Sequence, residues 1–186
     1  AAVAIRQDAS YLVTGGLGGL GLSVAHWLAR KGAGQLVLLG RSGAATAEQA
    51  AAVEALAAAG PRVTVVCADV ADGARLATLL HELATSGLPL RGVVHAAGLI
   101  DDGLLLQQTP ARLRTVMAAK VHGALNLHEL TRERELDFFV MYSSAAGMLG
   151  TAGQGNYAAV NTFLDALAHH RRAPRGRAGR VPHRRP

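Results

Sequence analysis

The 186-residue sequence holds one cysteine, two lysines, six prolines and seven aromatic side chains. A single thiol, Cys67, excludes a disulfide scaffold and any zinc site built on cysteines. No apolar run reaches the roughly 20 residues that a membrane-spanning helix needs, and no signal-peptide pattern is visible in the chain's first residues. The expectation is a cytoplasmic protein with no membrane partner. Acids are missing from the last sixteen residues, which carry seven of the 17 arginines. Without residues 171–186 the chain has 12 bases against 13 acids, a net charge of −1 where the whole chain carries +6. The basic balance belongs to the tail. The body lacks the basic stripe that specific nucleic-acid binding requires.

Half of the residues are apolar and 22 are glycine, and the length fits one domain with a sizeable core. Short apolar runs at 11–14, 36–39, 62–67, 92–96 and 137–143 are bounded by Gly, Pro, Asp or Ser and predict strands. Between them, residues 19–31, 47–59, 73–85 and 110–135 repeat apolar residues three and four apart and predict helices, as does 155–172. Thr109 is the expected N-cap of the fourth helix, with Pro110 at its first position. Strict β-α alternation implies parallel strands joined by right-handed crossovers. The fold class is thus α/β, a Rossmann-like doubly wound parallel sheet of five strands.

Thr14, Gly15, Gly16, Leu17, Gly18, Gly19, Leu20 and Gly21 join the first strand to the first helix. Glycines there permit a tight turn and let a pyrophosphate approach backbone N–H groups at the positive end of the helix dipole. The second strand ends in Gly40, Arg41 and Ser42. An acid at this point suits the ribose 2′-hydroxyl of NAD, whereas Arg41 suits a 2′-phosphate and so NADPH. After the third strand, Asp69 and Val70 either hold the adenine or, in the case of Asp69, cap the next helix. After the fourth, Ala96 and its small neighbours Ala97 and Gly98 keep the backbone close to the cofactor, and His95 reads as a packed core residue.

The fifth strand leads to Ser143 and Ser144, and Tyr157 follows Ser144 by thirteen residues. This pair, with the glycine loop, resembles the carbonyl-reducing site of short-chain dehydrogenases/reductases. A tyrosine of pKa near 10 needs a nearby cation to act at neutral pH. The usual lysine four residues on is replaced here by Asn161. Ketoreductase domains of modular polyketide synthases and of animal-type fatty acid synthases exchange the two positions, drawing lysine from the preceding long helix, where this chain has Lys120. The chain resembles that family up to about residue 172, through Gly15–Gly21, Gly40–Ser42, His95–Gly98, Asp101-Asp102-Gly103, Lys120, Ser143–Gly147 and Gly153–Tyr157. The resemblance implies that Ser144 polarises the ketone and Tyr157 donates the proton. It implies too that Lys120 lowers the pKa of Tyr157 and binds the nicotinamide ribose, with Asn161 organising the relay. The implied substrate is a β-ketoacyl thioester on an acyl carrier protein, with other polyketide synthase domains as partners.

In that family the loop after residues 95–98 reports product configuration. Domains making the D-alcohol (B-type) carry Leu-Asp-Asp, and this chain has Ile100, Asp101 and Asp102. Domains making the L-alcohol usually carry a tryptophan before the tyrosine; Leu149 stands there, and a proline often found nearby is Ala152. The lone tryptophan, Trp27, reads as core. B-type is the expectation. Complete domains of the family add an N-terminal structural subdomain and, after the Tyr157 helix, a strand, a lid and a final strand. Residues 1–172 are therefore expected to be an incomplete NADP-binding catalytic domain, and 173–186 a disordered Pro/Gly/Arg tail from a truncated gene end or a frameshifted read-through. Such a chain is expected to be marginally stable and a poor enzyme. The competing classes are another short-chain oxidoreductase, a non-reducing epimerase or dehydratase, and an inactive cofactor-binding fragment.

Overall fold

A computed structural model describes residues 3–85 and 87–172; the expected tail, 173–186, lies outside the described residues. The elements run β1 (Ser10–Thr14), α1 (Gly19–Arg30), β2 (Gln35–Gly40), α2 (Ala47–Ala58), β3 (Arg62–Cys67), α3 (Gly73–Thr85), β4 (Leu90–His95), α4 (Pro110–Met117), α5 (Gly123–Thr131), β5 (Phe138–Met141), α6 (Ala146–Leu149) and α7 (Gly155–Arg172). All strand pairs are parallel, in the order β3-β2-β1-β4-β5. The order reverses between β1 and β4, so the loops leaving these two strands diverge and open a crevice at their carboxyl ends.

The continuous apolar strands serve two faces at once. Alternate side chains leave a strand on opposite sides. Tyr11, Val13, Leu36 and Leu38 pack with Leu28 and Leu56 of α1 and α2. Leu12, Val37 and Leu39 pack with Leu76, Leu79, Leu80 and Leu127 of α3 and α5. Each fully buried leucine contributes roughly 1.5–3 kcal/mol to this two-layer core. The β4–β5 pair is fixed by size: Gly92 lies opposite Phe138, and its missing side chain admits the Phe138 ring, which stacks on Tyr11 with centroids 5.7 Å apart.

Two expectations are corrected. Trp27 is not core; it is 44% exposed, because the buried stripe of α1 is Gly21, Ala25, Leu28 and Ala29 and Trp27 sits about a quarter turn to its side. It instead lines an open apolar groove with Val24, Phe138, Val140 and Tyr142. The helix expected over 110–135 is also interrupted. Its start is as read, with Thr109 Oγ1 accepting the Arg112 N–H at 3.3 Å and Pro110 in the first turn. A π-turn then occupies Ala118–His122, where the Gly123 N–H reaches back five residues to the Ala118 carbonyl. Gly123 passes so near Val70 that a Cβ would lie 2.6 Å from Val70 Cγ1.

Candidate active site

The glycine loop at the β1–α1 junction is shaped by backbone contacts. Gly15 has φ +65°, which a glycine adopts without strain, and a Cβ there would lie 2.8 Å from the Ala96 carbonyl and the Ala97 nitrogen. Gly21 packs its Cα against the Gly15 carbonyl, leaving no space for a side chain. Gly18 and Gly19 differ: nothing lies within 4 Å of a Cβ at Gly19, and only the Gly15 carbonyl, at 3.4 Å, near one at Gly18. Helix α1 has Gly18 as its N-cap, with no side-chain cap and no acid in the first turn. Its first N–H groups have no intrahelical partner, so this end suits an anion. Leu17 is buried and its carbonyl accepts from Gln49 Nε2 at 3.2 Å, while Leu20 is exposed.

A cleft of about 230 Å³ brings Gly15 and Gly18 together with Arg41, Asp69, Val70 and Ala96. Arg41 is exposed at its rim, and Ser42 follows it on the same exposed turn. Asp69 Oδ1 accepts the Ala71 N–H at 2.9 Å, but the helix cap of α3 is Asp72, which accepts the Arg75 N–H at 3.0 Å. Of the two readings left open for Asp69, the capping one falls to its neighbour. Thr14 is buried, with Oγ1 2.7 Å from His95 Nδ1. The pKa of His95 is drawn down to about 4, first by burial and then by the charge of Lys120, so its ring stays neutral in the core. Small backbone loops, an anion-ready helix end and a rim cation fit a phosphorylated dinucleotide.

The second cluster gathers side chains from three segments. Lys120 lies in the π-turn, buried to 5% exposure. Its Nζ donates to the Tyr142 carbonyl at the end of β5 and to Asn161 Oδ1 of α7, both at 2.8 Å. It also stands 5.2 Å from the centroid of the Tyr157 ring. Asn161 is fully buried and donates from Nδ2 to the Tyr157 carbonyl at 2.8 Å, so one amide ties the cation to the tyrosine's own helix turn. The Ser143 hydroxyl donates to the Asn161 carbonyl at 3.2 Å. Ser144 Oγ accepts the Ala146 N–H at 3.2 Å, which leaves its hydroxyl proton available to another acceptor. Burial pulls the Lys120 pKa down to about 8, against the upward pull of the Asp165 carboxylate.

Asp101 and Asp102 occupy the loop after β4. Arg112 Nε and Nη2 both donate to Asp101 Oδ1, the former at 3.0 Å, and this bond holds the Asp101 carboxyl below its usual range. Gln154 Nε2 donates to Asp102 Oδ2 at 3.0 Å and Asn156 Nδ2 to the Asp101 carbonyl at 2.8 Å. Sequence reading assigned no role to Arg112, Gln154 or Asn156, nor to Thr115, Ala118 and Ala119, which also line the cleft. The loop partners of Arg112, Gln154 and Asn156 lie 10 to 55 residues away, beyond the reach of local periodicity. The short helix α6 was missed because its four residues carry no period.

The geometry has counterparts in known proteins. A family model described as KR domain matches residues 9–181. The chain is 53% identical over 163 residues to the spectinabilin polyketide synthase system protein NorB of Streptomyces orinoci, spanning 87% of this chain and 8% of that protein. It is 49% identical over 163 residues to the mycoketide-CoA synthase of Mycobacterium tuberculosis, spanning 87% of this chain and 4% of that protein. Among solved structures, an A-type ketoreductase from a modular polyketide synthase is similar with TM-score 0.85 at 47% identity, over 88% of this chain and 34% of that one.

Proposed function

Since the chain belongs to the KR domain family, the ketoreductases of polyketide synthases, we propose that it reduces a β-ketoacyl thioester on an acyl carrier protein to the β-hydroxyacyl thioester, using NADPH. The setting is polyketide (or fatty acid) chain assembly, with other synthase domains as partners. Gly15, Gly18, Gly19 and the start of α1 hold the pyrophosphate, Asp69, Val70 and Ala96 border the nucleotide, and Arg41 takes the 2′-phosphate. When bound, the reduced nicotinamide supplies a hydride to the ketone carbon. Tyr157 gives its hydroxyl proton to the ketone oxygen, and the Ser144 hydroxyl donates a hydrogen bond to the same oxygen as its charge grows. The Lys120 ammonium stabilises the negative charge left on the phenolic oxygen, and Asn161 keeps that ammonium in position.

The observation that carries this reading is the Lys120–Asn161–Tyr157 linkage, in which a buried cation from another helix does the work of a lysine one turn beyond the tyrosine. The loop holding Asp101 and Asp102, with Leu149 in place of tryptophan, supports B-type reduction to the D-alcohol. The likeness to A-type ketoreductases extends over the whole fold and makes the opposite alcohol the competing outcome. The test is Tyr157→Phe, assayed with a β-ketoacyl thioester and NADPH and analysed by chiral chromatography. Turnover is expected to fall at least about 100-fold while NADPH affinity stays within about twofold. Wild-type rates in Tyr157→Phe would overturn the mechanism, and an L-alcohol from the wild type would overturn the B-type assignment alone.

A further inference from the structure

The loop of residues 101–103 has no regular secondary structure, yet six of its polar groups are engaged. Arg112 grips the Asp101 carboxylate with Nε and Nη2, and its Nη2 also donates to the Asp102 carbonyl. From the other side, Asn156 binds the Asp101 carbonyl and Gln154 the Asp102 carboxylate. The Gly103 N–H donates to the Gly153 carbonyl at 2.8 Å, and the Gly103 carbonyl accepts from Gln108 Nε2 at 2.9 Å. Gly103 is needed for this seat: a Cβ there would lie 2.5 Å from Arg112 Nη1 and 3.0 Å from its Cζ. Two adjacent carboxylates repel and favour an open, hydrated loop. Here one is matched by a guanidinium held in the Thr109-capped first turn of α4, and the other by an amide three residues before Tyr157.

We propose that Arg112 is a positioning residue that latches the loop of residues 101–103 onto the segment just before Tyr157 and so fixes the side from which the ketone enters. The inference rests on the ketoreductase reading of the site. With Gly103 hydrogen-bonded to Gly153, no acyl chain passes between the loop and residues 153–156. A substrate reaches Tyr157 from the remaining side, which presents one face of the carbonyl to the hydride. Released from Arg112, the loop leaves Gly153, the second approach opens, and both faces become available. A lysine at 112 offers one compact ammonium in place of the planar fork that reaches carboxylate and carbonyl together.

The test uses the full chain with Arg112→Ala and Arg112→Lys and two readouts. The first is hydrogen exchange over residues 101–104, read by mass spectrometry. The second is the enantiomer ratio of alcohol formed from a β-ketoacyl N-acetylcysteamine thioester with NADPH. In Arg112→Ala, exchange is expected to rise at least about tenfold and the enantiomer ratio to fall about tenfold, with NADPH affinity within about twofold of wild type; Arg112→Lys should fall between. Unchanged exchange in Arg112→Ala would overturn the latch. Faster exchange with an unchanged enantiomer ratio would overturn the steering. A wild-type chain that makes no alcohol contradicts the ketoreductase reading itself, and the latch then stands or falls on the exchange alone.

Discussion

On the β1 side of the crevice the proposed cofactor surface is backbone: Gly15, Gly18, Gly19 and the uncapped start of α1, set on strands whose residues are almost all buried. On the β5 side it is side chains, gathered by hydrogen bonds between residues up to 41 positions apart, beside a strand of which no residue is fully buried. The first arrangement is set by sterics. A Cβ either fits or does not, and the loop needs nothing from distant sequence. The second is set by electrostatics, since a cation held at 5% exposure must find acceptors or lose its proton. Cofactor binding and proton donation thus fail in different ways under mutation, and the variants below are chosen to separate them.

The largest effect on stability is expected at Gly21. Gly21→Ala forces a methyl into the Gly15 carbonyl, a backbone clash that should cost about 2–3 kcal/mol and lower the melting temperature with cofactor absent. Gly19→Ala sharpens the contrast: its Cβ meets nothing within 4 Å, so the apo protein should melt within about 1 kcal/mol of wild type while NADPH binds more weakly. Equal losses of apo stability in both variants would break the distinction between a glycine that packs and a glycine that admits phosphate. Next is Arg41→Ala, which removes a charge-assisted bond worth about 1.5–3 kcal/mol. NADPH affinity should drop at least about tenfold and NADH affinity hardly move, by fluorescence titration. Equal affinity of the wild type for both cofactors would contradict the assignment.

The smallest effect is a displaced pH limb. Lys120 has a folded pKa of about 8 against 10.5 as the ordinary value. Between these two values the unfolded chain binds a proton that the folded chain does not, so this residue's contribution to stability rises with pH across that window. Turnover should fall over the same window as the ammonium is lost. Lys120→Met should abolish the stability slope, measured as the difference in melting temperature between pH 8 and pH 10. A slope that persists in Lys120→Met would assign the titration to another group.

The two sides also differ in how far they were legible in the sequence. Strands and glycine loop followed from local pattern: β3, α3 and α7 have the bounds that periodicity and punctuation gave, and α1, α2, β1 and β2 differ by a residue or so at an end. Trp27 was misread because an apolar type in a helix does not state which way that helix is rotated. The break at Ala118–His122 left no mark in the pattern; it ends at Gly123, which passes close to Val70 from another layer. Lys120 and Asn161 were singled out by resemblance to a family with exchanged positions; spacing alone carried no such message. Arg112 remained silent because its value lies in a loop whose shape only the fold supplies.

The central claim is that Lys120, reaching across from the π-turn, is the cation that serves Tyr157. Lys120→Met tests it directly, since it keeps the side chain's bulk and removes its charge. Measured as kcat/KM for β-ketoacyl thioester reduction at pH 7, the variant should lose about two to four orders of magnitude and still melt cooperatively. Near wild-type kcat/KM in Lys120→Met would contradict the account.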